Sequence, residues 1–116
     1  MIKQIMTKRQ TLGEIEHLVL LVVVRLGDEA YGMRISAELS ERTGRDVAIG
    51  SVYAALDRLE KRGFVSSNIG DPTPQRGGRA KRYFAAQRSG VEALADSQAL
   101  LTGLWDGIEL DPESYA

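Results

Sequence analysis

The chain has 116 residues, 43% of them hydrophobic and 27% charged, and its net charge is −1. That size suits one small domain with an extra helix, and so small a core is helped by a partner subunit. No cysteine is present and His17 is the lone histidine, which excludes disulfides, thiolate metal sites and a histidine-built metal centre.

The first ten residues read as an arm carrying Lys3, Lys8 and Arg9. These cations precede the apolar run 18–24, a faint echo of a secretion signal. Glu14 and Glu16 interrupt the approach, Arg25 ends the run and no small-residue cleavage site follows. Seven apolar residues cannot cross a bilayer, so the expectation is a soluble, cytoplasmic protein with no membrane partner.

"TLGE" at 11–14 predicts a capping box, with Thr11 as N-cap and Glu14 three residues on. A helix to about Leu26 follows, its stripe formed by Leu12, Ile15, Leu18, Val19, Val22 and Leu26. His17 falls off that stripe beside the acids and reads as a surface or rim residue. "GDEA" at 27–30 reads as a turn, with Asp28 and Glu29 as turn acids. A second helix is expected over 31–43, burying Ile35 and Leu39, with Gly44 in the left-handed position that ends it. After a short extended "DVAI", a third helix covers about 50–62. Val52, Ala55, Leu56 and Leu59 share one face of it, and Gly63 terminates it.

The hydrophobic period then changes. Residues 64–69 read as a strand and 80–86 as a returning strand, joined by the loop "GDPTPQRGG". Tyr83 and Phe84 point to opposite faces of that strand, so one of them is core, packed with Phe64. A last helix is expected over 89–108, and the acidic "DPESYA" reads as a frayed tail.

Helix, helix, helix, hairpin, helix is the order of a winged helix-turn-helix. The fold class expected is mainly α with a small β-wing, plus a C-terminal dimerisation helix. The division is 1–10 arm, 11–87 winged domain, 88–108 dimerisation helix and 109–116 flexible acidic tail.

Charge follows that division. Residues 50–90 hold eight cations and three acids, whereas 91–116 hold six acids and no cation. A basic middle beside an acidic end suggests a polyanion-binding face held apart from another surface. The third helix can enter a DNA major groove with Gly50, Ser51, Tyr53 and Ala54 leading and Arg58 and Lys61 on phosphates. Arg58, Lys61 and Arg62 would also stabilise the C-terminus of any helix. On the wing, Arg76, Arg79, Lys81 and Arg82 flank Gly77 and Gly78, which let the backbone approach a phosphate closely. Cations on a hairpin also keep strand edges from pairing, although four without an acid exceed that need.

Val91, Leu94, Gln98, Leu101, Trp105 and Ile108, with Leu104 beside them, form a coiled-coil-like seam on the last helix. A wing cannot cover it, so the expected partner is a second copy, with Gln98 fixing the register. Docking back on its own domain is the alternative. Trp105 reads as interface core, and a flat aromatic there also suits the wall of an apolar ligand pocket between subunits. No nucleophile–base pair, phosphate loop or metal cluster is visible, so the chain reads as no enzyme and without cofactor. Some winged helices bind protein through the same face, which leaves a protein-interaction module as the rival class.

"AYGMRI", "GSVYAALDRLEKRGFV" and "RGGRAKRYF", in this order and spacing, resemble the PadR family of bacterial transcriptional regulators over about residues 12–105. The resemblance implies a winged-helix domain that binds double-stranded DNA and a C-terminal helix that makes a homodimer. It also implies usual action as a repressor, released in some members by a small aromatic or drug-like effector. Gly50, Ser51 and Tyr53 fall where the family's recognition helix begins, Arg76 to Arg82 on its wing, and Val91 to Trp105 on its dimerisation helix. Ala48-Ile49 stands where many members have Ser-Pro, Tyr53-Ala54 where the family has Tyr-Pro, and Gln87 where a Thr usually caps the last helix. The single short terminal helix limits any effector cavity, so no ligand is carried over.

Overall fold

The computed structural model describes residues 11–70 and 80–115. In chain order the elements are α1 (Glu14–Leu26), α2 (Gly32–Thr43), α3 (Ile49–Lys61), β1 (Val65–Ile69), β2 (Arg82–Ala86) and α4 (Arg88–Trp105), with short 3-10 turns at Gly27–Glu29 and Pro112–Ser114. This is the expected mainly helical fold with a two-stranded wing.

The first helix starts later than the capping-box reading places it. Gly13 is the N-cap, and the acid that reaches back is Glu16, whose Oε1 accepts from the Gly13 N–H at 3.3 Å. "TLGE" matches the pattern by residue type, but "GEIE" two residues on offers the carboxylate at the spacing the helix uses. The stripe also rotates. Val19, Leu20, Val22 and Val23 are buried, while Ile15, Leu18 and Leu26 pack at the margin. A run of seven apolar residues leaves the buried arc to be chosen by what packs on it.

α2 closes at Gly44 in the left-handed region (φ 71°), as the glycine predicts. α3 buries Val52, Ala55, Leu56 and Leu59 against α1 and α2. Phe64, Val65 and Phe84 complete the core from the wing side.

β1 and β2 pair antiparallel, from Val65 opposite Ala86 to Ile69 opposite Arg82. "GDEA" does more than turn. Ala30 is fully buried, its carbonyl accepts from the Phe84 N–H at 2.8 Å, and Tyr31 forms a bridge with Tyr83. The segment therefore adds a short third rung to the wing. Of the two aromatics on β2, Phe84 is the core residue, and Tyr83 meets Tyr31 edge-on at 5.5 Å between ring centres.

α4 begins without a side-chain cap on its own backbone. Tertiary contacts hold its start instead. The Gln87 N–H donates to the Phe64 carbonyl (2.8 Å) and Ser89 Oγ to the Gly63 carbonyl (2.7 Å), while Gln87 Nε2 reaches Ser66. Gly90 packs so closely that a Cβ there would sit 2.3 Å from the Phe64 carbonyl oxygen. α4 ends at Trp105, short of the expected 108. The segment read as a frayed tail forms a 3-10 turn in which the Asp111 side chain accepts from the Glu113 N–H. No described helix is long and apolar enough to cross a membrane.

Candidate nucleic-acid interface

With one face of α3 in the core, Gly50, Ser51, Tyr53, Ala54, Asp57, Arg58 and Lys61 are left exposed. The leading turn is thus small-sided and open, as a helix approaching base edges requires. Tyr53 flanks it in a defined position. Its hydroxyl lies so near the start of α2 that a Cβ on Gly32 would come within 2.1 Å of it. Gly32 is there because the Tyr53 ring needs the space.

The base of the wing sits beside this helix. Arg82 donates to Glu60 of α3 and, through Nε, to Ser67 Oγ at 3.2 Å; Ser67 in turn donates to Glu60 at 2.7 Å. Asp57 lies 4.0 Å from the same guanidinium. Lys81, one residue back, holds its ammonium over the Tyr31 ring at 4.8 Å. Strand, α3 and the start of α2 are tied by these contacts into one surface. Arg76, Gly77, Gly78 and Arg79 at the expected tip lie outside the described residues.

Besides Arg82, two further cations of the site are committed to internal partners. Arg58 donates to Glu16 at 2.9 Å, and Arg62 to the same carboxylate at 3.0 Å. Glu16 keeps only 10% of its side-chain exposure, and Arg62 also grips the Thr11 carbonyl at 2.7 Å. Arg58 and Arg62 therefore clamp α3 to the start of α1. Lys61 is exposed and has no ion pair among the described residues.

The sequence reading missed three contributors. Tyr31 and Gly32 lie inside the quoted "AYGMRI", yet their job is visible only once Tyr53 and Tyr83 converge on them. Arg45, in the turn ahead of α3, borders a hollow of about 410 Å³ together with Ser51, Ala54 and Arg58. It is one of four scattered cations in an acidic stretch, so composition gave no sign of it.

The other surface is apolar. On α4 and beyond, Val91, Leu100, Leu101, Leu104, Trp105, Ile108 and Leu110 are about half exposed or more. Gln98 is exposed among them. Leu94 differs, being buried in the domain's own core. The domain thus holds the first turns of α4, and the rest leaves it with its apolar side uncovered. Where α1 and α4 diverge, His17, Leu21, Leu94, Gln98, Leu101 and Trp105 wall a groove of about 540 Å³. His17 is accordingly a rim residue, the second of the two places its sequence position allowed. It is partly buried in an apolar wall, and that burial holds its imidazole below the ordinary value of 6.5.

Residues 19–96 match the Transcriptional regulator PadR-like family. The chain belongs to this family. A PadR family regulator from Clostridium difficile has the same fold, with a TM-score of 0.67 at 22% identity over 81% of this chain and 96% of that one. A PadR family regulator from Eggerthella lenta gives 0.63 at 27% identity, covering 78% of this chain and 76% of that one. An uncharacterized protein of Lysinibacillus sphaericus is 33% identical over 73 residues, which is 61% of this chain and 63% of the relative. The match thus spans less than two thirds of that curated relative's length. Membership in the PadR-like family places the chain among transcriptional regulators.

Proposed function

We propose that the chain is a sequence-specific DNA-binding repressor, acting as a homodimer on a pseudo-palindromic operator. The observation that carries this is the exposed leading turn of α3, small-sided at Gly50, Ser51 and Ala54, with the wing base tied alongside through Arg82 and Glu60. Ser51 and Tyr53 read base edges, Lys61 takes a phosphate, and the wing cations Arg76 and Arg79 take the neighbouring backbone. The half-exposed side of α4 is the dimer surface, with Leu101, Leu104 and Trp105 at its centre and Gln98 setting register. Two recognition helices then lie in successive major grooves about 34 Å apart.

Gel shifts with the duplex upstream of its own gene and a scrambled duplex, each at two salt concentrations, test the reading. Affinity falls steeply with salt, because phosphates supply much of it. Arg79→Ala weakens both duplexes alike, whereas Ser51→Ala changes the preference between them. A wild-type protein that shifts neither duplex at low salt refutes DNA binding and leaves the interaction module.

A further inference from the structure

We propose that Arg45 is a phosphate-binding residue of the DNA interface, and that the Glu14 carboxylate occupies it until a backbone phosphate takes that place. The inference rests on the DNA-binding reading above and adds a residue and an exchange to it.

The turn that carries Arg45 is fixed. Thr43 Oγ1 donates to the Leu39 carbonyl at 2.7 Å and accepts from the Arg45 N–H at 3.1 Å. On this anchored backbone Arg45 borders the hollow that opens along α3 at Ser51, Ala54 and Arg58. A duplex seated on the leading turn of α3 passes its backbone over that hollow.

Arg45 holds a carboxylate in a two-pronged grip. Nη1 lies 3.3 Å from Glu14 Oε2 and Nη2 3.5 Å from Oε1. A phosphate presents its two free oxygens to a guanidinium in the same way. The resident pair is weak, with long contacts and side-chain exposures of 54% for Arg45 and 74% for Glu14. Exposed pairs of this kind contribute little to stability, so releasing Glu14 to water costs the fold little.

The other arginines beside α3 do not have this freedom. Arg58 shares Glu16 with Arg62, and that carboxylate is nearly buried. Withdrawing Arg58 strips a partner from a charge that water cannot reach. Arg82 sits in the three-membered network with Ser67 and Glu60. Arg82 also lies 4.0 Å from the exposed Asp57, but its close partner Glu60 is only 35% exposed; among the described ion pairs of these four arginines, only that of Arg45 rests wholly on a carboxylate that is mostly in water. Asp46 borders the same hollow, so the contact comes from the reach of the Arg45 fork and not from a net positive hollow.

The test uses the full chain with fluorescently labelled upstream and scrambled duplexes, titrated across a salt series. Arg45→Ala is expected to weaken both duplexes by the same factor, about tenfold at low salt, and to lower the slope of log affinity against log salt by about one per subunit. Glu14→Gln is expected to tighten both by about threefold, and to have no effect once Arg45 is alanine. Both positions are exposed, and an unchanged thermal midpoint verifies that each variant folds. Wild-type slope and affinity in Arg45→Ala overturn the proposal. So does a Glu14→Gln gain that persists without Arg45, because the effect is then one of general charge. A wild-type chain inert toward both duplexes overturns the DNA-binding reading and this proposal with it, whereas normal binding with silent variants overturns this proposal alone.

Discussion

Two glycines in this chain face similar steric demands and should respond differently to the same substitution. A Cβ on Gly90 meets the backbone of Phe64 at 2.3 Å, and a Cβ on Gly32 meets the Tyr53 hydroxyl at 2.1 Å. The Phe64 carbonyl is held by the Gln87 N–H and cannot retreat without moving the base of the wing. The Tyr53 ring is partly exposed and can swing outward. Gly90→Ala is therefore expected to cost about 1–3 kcal/mol by urea denaturation, less the helix-propensity gain of alanine. Gly32→Ala costs less stability and shows its effect as a displaced Tyr53, read from the tyrosine's NMR shifts. Glu38 supplies a second residue-scale expectation. Hydrogen bonds from Arg42 and Arg34 hold its carboxyl below the ordinary value of 4.5. A depressed folded-state value means that the unfolded chain takes up the proton first as pH falls. The stabilisation from Glu38 is thus intact above about pH 4.5 and is lost as pH drops through the folded value. Glu38→Gln is expected to lower the thermal midpoint at neutral pH and to flatten its fall in acid. A Glu38→Gln midpoint that declines with acid as steeply as the wild type contradicts this.

Between elements, the contact that joins α1 to α3 is ionic as well as apolar. Glu16 receives Arg58 and Arg62 across more than forty residues of sequence and also caps its own helix. Glu16→Ala is expected to cost about 1–2 kcal/mol in denaturant melts, a figure kept low because Arg58 is half exposed. It also releases Arg58 toward phosphates, so affinity for a scrambled duplex should rise while stability falls. The clamp explains what was and was not legible in the chain. The buried faces of α2 and α3 were readable from period alone, because one side of each is plainly polar, and Gly44 marked its boundary by backbone preference. The arc of α1 was not, since its valine–leucine run satisfies several rotations and only the elements packed on it, α2, α3, β2 and α4, choose among them. Arg58 was readable as an exposed cation on α3, but its partner Glu16 was not, because long-range ion pairs leave no periodic trace. The bridge from Tyr31 to Tyr83 was missed for the same reason. On α4 the apolar spacing was evident, yet nothing local says that Leu94 serves its own core while Leu101 does not.

That division within α4 decides how the whole molecule should respond to substitution. Leu94 is 8% exposed and Leu104 is 66% exposed, on the same helix about three turns apart. Leu94→Ala removes core packing and is expected to cost about 2–5 kcal/mol in the fold itself. Leu104→Glu touches no core. The helix that carries it is anchored through Gln87, Ser89 and Gly90 at the other end, so circular dichroism should change little. If a second copy covers this side of α4, the glutamate places a charge in the centre of an apolar interface, and light scattering should report a monomer. Dimer loss then propagates to DNA. A single winged domain engages one half-site and forgoes the effective concentration that links two, so operator affinity should fall by about a hundredfold or more while binding to a half-site duplex stays nearly constant. The wild-type melting temperature should also rise with protein concentration, as linkage requires when folding and association are coupled, and that of Leu104→Glu should not. A Leu104→Glu protein that keeps the wild-type mass in solution would place the exposed side of α4 outside the subunit contact. The apolar side chains from Leu100 to Leu110 would then need a different partner, because a patch of that extent is seldom left open to water.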